Sequence, residues 1–120
     1  MVSLRTKRIY AAPSPEDGAR ILVDRLWPRG VSKEKARLDA WLRDLSPSDD
    51  LRKRFGHDPA GWDDFRAAYA LELAEPAAGA ALADLRAFMA KGPVTLLFAA
   101  KDEARNNAVA LQMWLYERAA

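Results

Sequence analysis

The chain has 120 residues, half of them hydrophobic and 30% charged, a globular composition with room for one domain. The net charge of +2 is unevenly spread. Residues 1–37 hold nine Lys/Arg and four Asp/Glu, a net of +5, while residues 38–120 hold ten and thirteen, a net of −3; the asymmetry points to an anionic partner near the N-terminal third. The absence of cysteine and the single histidine exclude a disulfide framework, a thiolate nucleophile, cysteine-ligated metal and a His-rich metal centre.

The first eight residues lack the apolar run of a secretory signal, and Val94 to Ala100 is too short to span a bilayer. The expectation is a cytoplasmic protein with no membrane partner. In chain order, the residues up to Tyr10 read as a strand, and Ala11 to Gly18 as a Pro-rich loop closed by Asp-Gly. Arg20-Ile21-Leu22-Val23-Asp24 is a near-continuous apolar run, suited to a parallel strand covered on both faces. Pro28 forces Trp27 into extended backbone, Gly30 permits a reversal, and Ser32 caps a short helix over 33–36. Leu38 to Leu45 fits both periods, and the fuller sheet favours a strand there.

Ser48 caps a helix that ends near Phe55-Gly56, and Asp58-Pro59 starts the next. Trp62, Phe65, Tyr69 and Leu73 form its apolar face, and Pro76 ends or kinks it. A further helix spans about Ala78 to Ala90, burying Leu82, Leu85, Phe88 and Met89, and stops at Gly92-Pro93. Val94 to Ala99 is the clearest strand. Asp102 or a neighbour caps a last helix with a buried stripe of Ala104, Ala108, Leu111 and Leu115. The order gives an α/β domain: a short, mostly parallel sheet of three or four strands with helices packed on it. Ligands then sit at the carboxyl ends of the strands, where Asp24-Arg25 and Lys101-Asp102 fall.

Three clusters could carry chemistry. In Asp24-Arg25-Leu26-Trp27-Pro28-Arg29-Gly30, the arginines Arg25 and Arg29 offer planar forks for phosphate or carboxylate. Trp27 can stack, Gly30 lets backbone N–H groups approach an anion, and Asp24 can orient an arginine or act as a general base. The plain alternative is that Trp27 packs in the core, Arg25 pairs with Asp24 and Arg29 is solvated. Arg52-Lys53-Arg54 beside His57 could hold phosphate, with His57 titrating near neutral pH; against this, Asp58-Pro59 already has a capping role. In Lys101 to Asn107, the adjacent Asn106 and Asn107 cost helix propensity without an obvious structural return, which makes them better ligand candidates than the charges around them. The carboxylate pairs Asp49-Asp50, Asp63-Asp64 and Asp102-Glu103 fit helix starts. No metal site and no cofactor is expected, and the nucleotide-loop and hydrolase motifs are absent.

Taken together, Arg20 to Lys33, Trp41 with Ser46-Pro47-Ser48 and Leu51-Arg52, Phe55 to Pro59, and Val94 to Leu97 through Ala100-Lys101-Asp102 and Asn107-Ala108 resemble the YeaO-like branch of the DUF488 family. The likeness covers about residues 5–116, and Val23 to Gly30 is its most specific block. It implies one domain over 1–120, an α/β fold and a bacterial or archaeal cytoplasmic protein, and it carries no reaction with it. The broader family often has a cysteine within the equivalent of 96–100 and a Cys-His-Arg where this chain has Arg105-Asn106-Asn107. Thiol chemistry implied by those relatives cannot operate here. An enzymatic branch would have to use His57, Asp24, Asp102 or a bound water.

The leading expectation is a domain that binds an anionic small molecule, or a nucleotide end, at the strand carboxyl edge. Arg25 and Arg29 are its clamps, Trp27 with Gly30 one wall, and Lys101 with Asn106 and Asn107 the other. His57 and Asp24 are the candidate acid/base groups if a reaction is catalysed. A nucleic-acid-binding module using the basic N-terminal third and a non-catalytic protein–protein adaptor anchored by Trp27 and Trp41 are the alternatives. Nothing in the pattern sets an oligomeric state.

Overall fold

The most apolar run forms the centre. In the computed structural model, which describes residues 3–55 and 58–119, all five residues of β4 (Val94–Phe98) are buried. It pairs in parallel with β1 (Leu4–Arg8) on one side and β2 (Ala19–Leu22) on the other, and β2 pairs in parallel with β3 (Ala40–Trp41). The order is β1-β4-β2-β3. A parallel sheet needs cover on both faces, and the two-residue period supplies it. Ile21, Val23, Leu96 and Phe98 join the main core with the helices, while Leu22 and Leu97 join Ile9, Ala36 and, at its margin, Trp27, Val31, Leu38 and Trp41. The α/β class and the parallel sheet expected from sequence are therefore found, with four strands in that sheet.

Five α-helices complete the described fold: α1 (Lys33–Ala36), α2 (Asp49–Phe55), α3 (Trp62–Leu73), α4 (Pro76–Lys91) and α5 (Asn107–Ala119). Ser32 caps α1 by accepting from the Lys35 N–H. Ser48 accepts from the Leu51 N–H at 3.1 Å and donates to Glu72 of α3 at 2.6 Å, so one side chain starts α2 and anchors it to its neighbour. Gly18 turns the chain into β2 at φ +64°, and a Cβ there would come within 2.2 Å of the Pro93 carbonyl oxygen, which leaves no room for any other residue. Among the described residues, no helix is long and apolar enough to cross a membrane.

Several boundaries differ from the sequence expectation. The ambiguous stretch 38–45 is a two-residue strand followed by a 3-10 turn, Arg43–Leu45. Asp58 caps a 3-10 turn, Pro59–Gly61, before α3 begins at Trp62. Pro76 neither ends nor kinks α3; it occupies the first turn of α4, where its missing N–H costs nothing. Phe88 and Met89 are half-buried at the end of α4. The last helix starts at Asn107, because Asp102 closes a separate turn through the Ala104 and Arg105 N–H groups, and Ala104 is left exposed.

Candidate functional site

Parallel strands end on the same side, so the carboxyl ends of β2 and β4 open together. At that edge lies a cleft of about 540 Å³, within the size range of small-molecule sites, about 300–1,000 Å³. Asp24 is its floor. Its Oδ1 accepts from Asn107 Nδ2 at 3.0 Å and its Oδ2 from the Ala99 N–H at 2.9 Å. Asn107 also donates to the Val23 carbonyl at 3.0 Å. One carboxylate thus joins the ends of β2 and β4 to the start of α5. Burial pushes the Asp24 carboxyl above its ordinary range; the bonds from Asn107 and Ala99 and the charge of Arg52 offset that only in part.

The loop after β2 is held by two indoles. Trp41 Nε1 donates to the Asp24 carbonyl and Trp27 Nε1 to the Val31 carbonyl, both at 2.7 Å, and the two rings meet edge to face at 5.4 Å. Tyr10 braces the same loop through a 3.0 Å bond to the Arg29 carbonyl. Five cations reach the cleft: Arg25 and Arg29 from this loop, Arg52 and Lys53 from α2, and Arg105 from the turn before α5. Four carboxylates accompany them: Asp24, Asp49, Asp58 and Asp102. Asp49 lies between Arg52, at 3.3 Å, and Arg25, at 3.9 Å. Arg105 pairs with Asp102 at 3.2 Å, and the N–H groups of Ala104 and Arg105 hold the Asp102 carboxyl below its ordinary range. Arg29 and Lys53 make no ion pair among the described residues. Aromatic rings fill the side formed by α2 and α3: Phe55, Trp62 and Phe65.

Of the residues singled out in the sequence, Asp24, Arg25, Trp27, Arg29, Asn106 and Asn107 line this one cleft. Gly30 and Lys101 do not: Gly30 sits at φ +75° in an exposed turn, and Lys101 is exposed beyond the end of β4. His57 lies outside the described residues. The two asparagines have structural work after all. Asn106 caps α5, its Oδ1 accepting from the Val109 N–H at 2.9 Å, and Asn107 ties that helix to β2. Arg25 is paired with Asp49 and not with Asp24. In the sequence Trp62 and Phe65 read as part of one helix's apolar face and Phe55 as the end of another helix; their shared wall comes from the packing of α2 against α3, which no local pattern announces. Among the described residues, no group of three or more acidic or histidine side chains is gathered as a metal would need.

Fold and site together define a small α/β domain with a ring-walled, charge-rimmed cleft at its strand carboxyl edge. The chain belongs to the inactive DUF488-N3 subclade, whose family profile matches residues 3–120. It is 42% identical over 115 residues to the uncharacterized protein YeaO of Escherichia coli, covering 95% of this chain and 97% of that one. It is 38% identical over 115 residues to the uncharacterized protein Rv3073c of Mycobacterium tuberculosis, covering 96% and 95%. No solved structure gives a significant match.

Proposed function

We propose that the protein is a binding domain for a phosphate- or carboxylate-bearing small molecule, held in the cleft at the ends of β2 and β4 without being turned over. The observation that carries this reading is the convergence of Arg25, Arg29, Arg52 and Lys53, from two separate elements, on one cleft of ligand size. Guanidinium forks suit oxyanions because two parallel N–H groups match two oxygens. Binding without turnover fits the family's description as inactive. It also fits the floor: both Asp24 oxygens are engaged by Asn107 and Ala99, and the chain has no thiol.

The test is calorimetric titration of the full chain with inorganic phosphate, sugar phosphates, nucleotides and dicarboxylates. At least one class binds, and the Arg25→Ala/Arg29→Ala double variant binds it about tenfold or more weakly. Both residues are exposed, so the variant keeps the wild-type circular dichroism. Heat-silent titrations across the panel, or unchanged affinity in the double variant, would remove the reading.

A further inference from the structure

We propose that the ligand carries a planar aromatic ring beside its anionic group, as an aryl or nucleoside monophosphate does; this rests on the anion-binding reading above and narrows it. Three observations combine. The first is size: about 540 Å³ is far more than an isolated oxyanion fills, and an ion alone would leave the walls wet.

The second is the wall opposite the β2 loop. Trp62 and Phe65 lie one helical turn apart on α3, stacked at 5.8 Å and 16°. Phe55 of α2 meets Phe65 edge-on at 6.3 Å. All three line the cleft and are half-buried where neighbouring Tyr69 and Leu73 are fully buried. Half-open rings at a cleft wall gain by covering with another flat apolar group, in stacked or edge-on contact.

The third is the placement of charge relative to those rings. Arg52 and Phe55 are three residues apart on α2, so a cation and a ring share one helix face. A ligand spanning that face sets its ring on Phe55 and Trp62 and its anion toward Arg52, Lys53 and the β2-loop arginines. Asp58 and Asp102 also line the cleft.

The experiment compares inorganic phosphate, ribose 5-phosphate, phenyl phosphate and adenosine monophosphate on the full chain, by calorimetry and tryptophan fluorescence. The two ring-bearing probes bind about tenfold or more tightly than the ringless ones, and they quench tryptophan emission. Trp62→Ala, folded by circular dichroism, brings the affinity for the ring-bearing probes down to that for the ringless ones, and Trp62→Phe retains the preference. Equal affinity for all four probes overturns the ring while leaving the anion site standing. A preference unchanged in Trp62→Ala overturns it too. Absence of binding by every probe overturns this proposal together with the phosphate half of the anion-binding reading.

Discussion

Asp24 and Asp17 show how differently two partly enclosed carboxylates can be used. Asp24 faces a cleft and takes one amide and one backbone N–H; its net shift is upward because burial dominates. Asp17 is buried beside β2 and is surrounded by donors. Burial opposes its ionisation, but the Ser14 N–H, the Lys7 ammonium and the Arg20 guanidinium outweigh that and hold it below its ordinary 3.8. Arg20, itself buried, depends on this partner at 2.5 Å and on the Ala36 carbonyl at 3.0 Å. Removing one member of a buried pair strands the other charge, so Asp17→Asn should cost about 3–5 kcal/mol near neutral pH, read from urea unfolding. A lowered folded-state value means that the stabilisation is complete above the unfolded carboxyl range and fades as pH falls through the folded value. The stability gap between wild type and Asp17→Asn should therefore narrow below pH 3.8. A gap that stays constant down to strongly acidic pH would show that the ion pairs are not its source.

At the scale of elements, α5 explains a pair of residues that propensity alone reads as a puzzle. Two successive asparagines are poor helix interior, but neither is interior. Asn106 satisfies the Val109 N–H as the cap, and Asn107 opens the helix while its amide reaches the end of β2. Asn106→Ala should lose about 1 kcal/mol and Asn106→Ser or Asn106→Asp much less. Asn107→Ala should lose about 1–3 kcal/mol, since the Val23 carbonyl and Asp24 each lose a donor in a partly enclosed place. Denaturant midpoints of the four variants decide it: equal losses for Asn106→Ala and Asn106→Ser would deny the cap. The sequence made such local chemistry legible wherever one residue sufficed. Ser32, Ser48 and Asp58 are readable as caps, Val94 to Ala99 as the clearest strand, and the apolar run Arg20 to Asp24 as a parallel strand covered on both faces. What it hid were relations between elements. Leu38 to Leu45 fits two periods, and the fold divides it between a two-residue strand on β2 and a 3-10 turn. The ring wall depends on how α2 packs against α3, and Ser48 finds Glu72 across a separation of 24 residues. Six of the candidate residues met in one cleft because strand ends are fixed by topology; Gly30 and Lys101, next to those ends in sequence, turn away from it.

For the whole molecule, the excess positive charge of the N-terminal third is a poor guide until each cation is traced. Lys7 and Arg20 share Asp17, and Arg8 donates to the carbonyls of Ala99 and Ala100 at 3.1 and 2.9 Å. Those three are engaged in contacts within the fold. Arg25 and Arg29 belong to the cleft, where four carboxylates dilute the five cations. A nucleic-acid module needs a continuous basic track, because its affinity comes from releasing counterions along many phosphates. A cleft of mixed charge that holds one anionic group releases few. The affinity for the best small-molecule ligand should therefore fall only severalfold between roughly 50 and 200 mM salt, against on the order of a thousandfold for a protein gripping six or more phosphates. Single- and double-stranded DNA and RNA oligomers should show no tighter binding than a mononucleotide under the same conditions. Measured as the slope of log affinity against log salt, a shallow value, lowered further in Arg25→Ala/Arg29→Ala, supports a small anionic ligand. A steep slope with longer oligomers binding progressively tighter would transfer the function to nucleic acid and leave the cleft as the end of a longer track.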